Sequence, residues 1–322
     1  MAANNAARSN LPLSASEARL PIPRFLCQTL PMKKLTAAVC LTVAVLLGSA
    51  GLSRGADLQK VLSAAEQGNP RAQFKLGKMY EKGQGVPQNY EAAAKWYGLA
   101  AKQGLADAQN NLAFLYTHGH GVPWDRQTAL KWYRQAAERG HAKSQFDLGE
   151  MHLKGRGVPQ SLEGTVKWRK LAAEQGYARA QFKLGEMYEI GLGVPRNYET
   201  ALTWYRLAAE QGYADAQFNI GWMYRKGKGV PQDDKTAVMW YRLAAEQGYA
   251  KSQFNLGVMY FTGHGVIKDN VYAHMWGNLA ASKGNKYGGE VKIHVAKQMT
   301  KIEIKQAEKL AQECVRRNYK GC

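Results

Sequence analysis

Six tryptophans, Trp96, Trp132, Trp168, Trp204, Trp240 and Trp276, stand 36 residues apart along a chain of 322. Gly83, Gly119, Gly155, Gly191, Gly227 and Gly263 keep the same step, as does the glycine two places beyond each. A fixed period of this size signals a stack of one supersecondary unit, so length says little about domain number. The unit is cleanest at residues 180–215 and contains two helical patterns. In the first, Ala180, Phe182, Leu184, Gly185 and Tyr188 put apolar and small residues at helical spacing. Gly191 follows the last periodic residue and suits a left-handed helix stop.

A G-x-G-V-P loop then turns the chain, since Pro195 cannot continue a helix. The position after it holds Asn89, Asp125, Ser161, Asn197, Asp233 and Asp269, all side chains that accept hydrogen bonds from the free amides of a helix start. The second helix carries Ala201, Trp204, Tyr205, Ala208 and Ala209 and stops at Gly212. Paired alanines allow close helix approach, and the tryptophan is expected to fill the gap beside them. One hairpin has too little core to stand alone, so stability must come from its neighbours.

The 36-residue length, the G-x-G-V-P loop and the W-Y-x-x-A-A-E-Q-G ending resemble the Sel-1-like repeat family, relatives of tetratricopeptide solenoids, over roughly residues 58–300. Local departures are Asn110 for the usual Phe, His152 for Tyr, Arg169 for the second aromatic and Ile267 for the loop Pro. The resemblance implies adaptors and scaffolds, common in bacterial envelopes and also found in eukaryotic quality-control complexes. The expected fold is all-α: a right-handed α-solenoid of six tandem helix-turn-helix repeats with capping elements at both ends.

Five segments follow. Residues 1–31 lack periodicity and read as an upstream extension that is not native. Residues 32–56 read as a signal peptide: Met32-Lys33-Lys34, an uncharged run from Leu35 to Leu52, then small residues. The rival readings are a retained membrane anchor and an organelle transit peptide. Residues 57–71 repeat the end of a second helix, with Lys60 where Trp would stand, and suit a capping half-repeat. Six repeats fill 72–287. Residues 288–322 read as capping helices and a basic tail. There, 289–298 form a short helix and Thr300 to Glu303 a capping box, while Ile304, Ala307, Leu310, Ala311 and Cys314 make one apolar stripe. Cys314 and Cys322 can pair in an oxidising compartment or remain free thiols; Cys27 and Cys40 lie upstream, and none of the four follows the repeat.

The formal net charge is +19. Without residues 1–56, 38 basic residues face 24 acidic ones, which favours acidic or anionic partners. Export would separate the chain from nucleic acid, and would keep it from a membrane if the leader is removed. Positions constant in all repeats serve the stack; positions that vary along one helical face are free to bind. One such stripe reads Arg71, Lys75, Lys78, Lys82 in the first repeat, Asp107, Asn111, Phe114, His118 in the second and Asp215, Asn219, Trp222, Lys226 in the fifth. Lys75, Lys78, Phe114, Glu150, Glu186, Trp222 and Val258 are therefore the candidate partner contacts on an inner, concave wall. The competing expectation is that Phe114 and Trp222 pack between repeats.

No catalytic, metal or cofactor site is expected. His118, His120 and His264 sit in loop positions otherwise held by Gln84, Arg156, Leu192 and Lys228, which does not build a converging ligand set. The G-x-G loops follow helices and lack a Lys-Ser/Thr pair, and no Ser or Cys sits in a nucleophile elbow. Cys-rich relatives of the family have been described as hydrolysing penicillins, but their cysteine spacing is missing here. The sequence thus points to a non-catalytic protein-binding adaptor, periplasmic or secreted, with binding of an anionic polymer such as peptidoglycan as the alternative and β-lactam hydrolysis as a weaker third.

Overall fold

The computed structural model describes residues 50–322, and its compact unit runs from Asp57 to Cys322. The expected upstream extension and most of the signal segment lie outside the described residues; Ala50–Ala56 begin the first helix. That helix, α1 (Ala50–Glu66), precedes six pairs: α2 (Pro70–Lys82) with α3 (Tyr90–Lys102), α4 (Ala106–His118) with α5 (Arg126–Glu138), α6 (Ala142–Lys154) with α7 (Leu162–Glu174), α8 (Ala178–Ile190) with α9 (Tyr198–Glu210), α10 (Ala214–Lys226) with α11 (Asp234–Ala245), and α12 (Ala250–Thr262) with α13 (Asn270–Ser282). Two more, α14 (Lys286–Ala296) and α15 (Lys301–Arg316), end the chain. Among the described residues there is no strand, and no helix is long and apolar enough to cross a membrane.

Local chemistry sets the boundaries. Asn89, Asp125, Ser161, Asn197, Asp233 and Asp269 each cap a second helix, their side chains accepting from the amides two or three residues on. The same residues close the loop from the other side. The Asn197 amide donates to the Tyr188 carbonyl at 2.8 Å, and the other five repeats make the equivalent bond. The Thr300–Glu303 capping box starts α15, while α14 begins at Lys286, three residues ahead of the expected 289. Ala307, Ala311 and Cys314 then bury against Trp276 and Met275, covering the last repeat, and a disulfide joins Cys314 to Cys322.

Each repeat's core is closed by its neighbours. The alanine pairs Ala100–Ala101, Ala136–Ala137, Ala172–Ala173, Ala208–Ala209 and Ala244–Ala245 are buried. The tryptophan role needs correction. Trp276 is fully buried, but Trp96, Trp132, Trp168, Trp204 and Trp240 are only half-buried, each leaning on the core of the preceding repeat. The ring that is sealed inside is the next one along: Tyr97, Tyr205 and Tyr241 are wholly buried, over glycines whose Cβ would lie 2.6 Å (Gly77), 2.6 Å (Gly185) and 2.8 Å (Gly221) from the ring. Adjacent helical residues point about 100° apart, so only one of the pair can face the core.

A glutamine ladder ties repeat to repeat. Gln73, Gln109, Gln145, Gln181, Gln217 and Gln253 each donate through Nε2 to the carbonyl eight residues before, at the end of the preceding second helix (3.0–3.2 Å). Four of them accept in turn from a second glutamine 30 residues on, Gln103, Gln175, Gln211 and Gln247. Arg139 and Lys283 stand where that second glutamine is missing, and there Gln109 Oε1 and Gln253 Oε1 find no hydrogen-bond partner. Restoring one rung, Arg139→Gln, should raise stability by about 1 kcal/mol in urea denaturation, since a buried acceptor gains its donor.

Candidate protein-binding surface

The first helix of each pair (α2, α4, α6, α8, α10, α12) builds the surface. Its inner residues are fixed: Leu76, Leu112, Leu148, Leu184, Ile220 and Leu256 are all buried. Two residues on, one helical position holds Lys78, Phe114, Glu150, Glu186, Trp222 and Val258, none of them fully buried. The stack is thus constant within and variable at the rim.

These side chains do not share one environment. Lys75 and Lys78 are exposed, Lys78 Nζ lying 5.6 Å from the centre of the Phe74 ring. Phe114 is 38% exposed, belongs to no core cluster, and touches the rings of His118 (4.0 Å) and His120 (6.2 Å), with Tyr90 5.0 Å beyond His120. Trp222 is different: half-buried, it packs against the cores on both sides of it. The two aromatics thus divide between the competing expectations, Phe114 facing out and Trp222 packing between repeats.

Glu150 and Glu186 meet across a hollow of about 390 Å³ shared with Arg169, Lys183, Ile190 and Asn219. Both acids are already paired. Glu150 binds the Arg169 guanidinium and lies 3.2 Å from Lys154, and Glu186 lies 2.6 Å from Lys183. Burial alone would raise the Glu150 carboxyl, but the Arg169 and Lys154 contacts outweigh it and hold it below its ordinary range. Nearby Asp147 is pushed up, because its burial outweighs the hydrogen bond from Asn110 at 3.2 Å.

Val258 lines a separate groove between α12 and α14 with Phe254, Phe261 and Tyr287. The sequence pattern pointed to Val258 but missed its neighbours, because Phe254 occupies the core phenylalanine position. The missing signal was Asn285. Phe146, Phe182 and Phe218 are each met by a tyrosine ring 31 residues on, Tyr177 (5.5 Å), Tyr213 (5.1 Å) and Tyr249 (5.6 Å); Asn285 holds that place after Phe254. Among the described residues no group of three or more His, Cys, Asp or Glu is placed to hold a metal ion.

A stack of closely similar helical hairpins with a largely repeated interior and a variable, partly charged rim is the architecture of a repeat protein that recognises other molecules by surface contact. The Sel1 repeat model matches residues 70–105, 106–141, 142–177, 178–213, 214–249 and 250–285, and the chain belongs to the Sel1 repeat family. A Sel1 repeat protein from Oxalobacter formigenes is 33% identical, over 75% of this chain and 96% of that one, with a TM-score of 0.62. The protective antigen c5321 of uropathogenic Escherichia coli, which displays an SLR fold, is 26% identical over 80% of this chain and 86% of its own, with a TM-score of 0.36. The immunity protein Pa5087 of Pseudomonas aeruginosa is 23% identical over 70% and 82%, with a TM-score of 0.43. No curated protein matches the chain. Sel1 repeat proteins are generally protein-interaction scaffolds of non-catalytic type.

Proposed function

We propose that this chain is a non-catalytic adaptor of the bacterial envelope that grips a partner protein along the face of its first helices, the concave side of the stack. The observation that carries the reading is the single helical position occupied by Lys78, Phe114, Glu150, Glu186, Trp222 and Val258 over an unchanging buried leucine or isoleucine row. Its chemistry changes from repeat to repeat in an order that does not read the same both ways: a cation at Lys78, an exposed ring at Phe114, paired carboxylates at Glu150 and Glu186, then Trp222 and Val258. Such an order selects one direction for a bound chain, and a preformed surface limits the ordering cost of binding. The run after Met32 supports export, and hence the envelope location.

The test is a cross-linking pull-down from native envelopes. Phe114→Ala with Lys78→Glu should weaken capture at least tenfold, since an exposed aromatic anchor contributes about 2 kcal/mol, while the melting temperature stays unchanged. Unchanged capture would overturn the reading. A second reading, binding of an anionic polymer such as peptidoglycan, draws on the basic surplus. It would be marked by steep loss of affinity with salt and indifference to Phe114→Ala.

A further inference from the structure

The last junction of the stack is built unlike the three before it. At those three a tyrosine at the end of the repeat closes over that repeat's own phenylalanine, as described above. Asn285 instead spends its side chain on the start of α14, accepting from the Gly288 amide at 2.9 Å. Gly277 stands where Tyr97, Tyr133, Tyr205 and Tyr241 stand in other repeats, and α14 comes close enough that a Cβ on Gly277 would lie 3.0 Å from the Gly288 carbonyl oxygen. Two covering rings are lost and one, Tyr287 with its ring centre 5.9 Å from that of Phe254, stands in their place, leaving a groove of about 370 Å³. Phe254, Val258 and Phe261 form one wall and Tyr287 and Val291 the other, with the exposed Glu290 and His294 as its polar lining. Pockets that are mostly apolar with a few polar groups are the usual seats of anchoring side chains.

Charge says what kind of segment fits. Residues 250–322 contain twelve Lys and Arg against five Asp and Glu, a surplus of seven, half of the surplus of 14 in residues 57–322. Three of those five acids are engaged locally: Asp269 caps α13, Glu303 closes the capping box of α15, and Glu313 lies 3.9 Å from Arg316. Lys268 Nζ sits 5.4 Å from the centre of the Phe261 ring, a cation directly beside the apolar wall. The chain's own first 49 residues do not match this field, having five basic residues and the single acid Glu17.

We infer that the groove between α12 and α14 receives an acidic segment of a partner protein, which inserts one large apolar side chain beside Val258 and sets its carboxylates against Lys268. The inference rests on the protein-binding reading above and names the chemistry of the partner at one end of that surface.

Twelve-residue peptides selected from a random displayed library on the full chain, then measured as free peptides by fluorescence anisotropy, test it. Selected sequences should place two or more Asp or Glu within four positions of a Phe, Trp, Leu or Met. Val258→Glu should weaken them at least tenfold. Lys268→Glu, an exposed change that leaves the apolar lining intact, should weaken them several-fold and flatten their salt dependence, which keeps the test alive if Val258→Glu fails to fold. Recovery of no peptides or of basic or neutral peptides, or full affinity in both variants, overturns the proposal. So does poly-L-glutamate binding as tightly as the peptides, or a dimer in sedimentation that Val258→Glu dissociates. Peptides lost with Phe114→Ala but kept with Val258→Glu would remove this groove alone and leave the wider surface standing; peptides indifferent to both would remove both.

Discussion

Gly121→Ala should lower the stability of the stack by about 4 kcal/mol, while Gly140→Ala, also at a left-handed glycine, should cost only about 1 kcal/mol. Both residues have positive φ, +66° and +84°. The difference is space. A Cβ on Gly140 meets nothing within 4 Å, whereas one on Gly121 would lie 2.2 Å from the Tyr90 carbonyl carbon and 2.4 Å from the Glu91 amide nitrogen. Those are backbone atoms at the start of α3, so nothing can swing aside and the second repeat must lift off the first. A Cβ on Gly265 would likewise lie 2.3 Å from the Asp234 carbonyl oxygen. At Gly121 and Gly265 the second glycine of the loop is therefore a docking point as well as a turn. Urea denaturation followed by tryptophan fluorescence checks it, and equal losses in the two variants would refute the backbone-contact argument. Extra curvature or a split transition in Gly121→Ala would show the junction opening first, because stacked repeats need not unfold as one unit.

The second large effect belongs to Glu150→Ala, expected to cost about 3 kcal/mol at neutral pH. Arg169 is 4% exposed, its Nε has no hydrogen-bond partner, and Glu150 is the carboxylate that balances its charge. Removing one member of such a pair leaves a buried charge uncompensated, while removing both is often close to neutral. Glu150→Ala combined with Arg169→Met should accordingly recover most of the loss. The pH dependence has a definite sign. The folded-state pKa of Glu150 is held below its unfolded value, so the stability it contributes is present above the unfolded value of about 4.3 and is lost as pH falls through the folded one. The gap between wild type and Glu150→Ala should narrow in acid, and denaturation midpoints from pH 7 down to pH 3 measure it. A gap that is constant with pH would separate Glu150 from Arg169.

The parts of the fold legible in the sequence are those set by a residue and its nearest chain neighbours. Asn197 and its five equivalents are N-caps because any acceptor there meets free amides, and Thr300 with Glu303 closes α15 by the same local logic. What stayed hidden depends on partners far along the chain. Trp204 and Tyr205 are both bulky aromatics side by side, and only the placement of adjacent helices decides that the tyrosine is sealed in. Phe114 and Trp222 share one repeat position, yet Trp222 is packed by two cores and Phe114 by none. Glu150 was readable as a rim charge, but its bond to Arg169, 19 residues on, required the helix pair to be seen. The groove beside Val258 was encoded, as the absence of a ring at Asn285 and of another at Gly277. Substitutions away from an internal consensus thus point to sites as directly as the consensus points to the fold.

The glutamine ladder has a consequence for how such a chain can change length. Because every rung spans the same eight residues backward, and most take the same second partner 30 residues ahead, a seam between any two units offers nearly the same chemistry as the next. A whole hairpin can be copied or excised without inventing a new joint, provided the cut spares the two ends. Growth by duplication is written into the hydrogen bonds, and only the outward-facing residues need diversify afterwards.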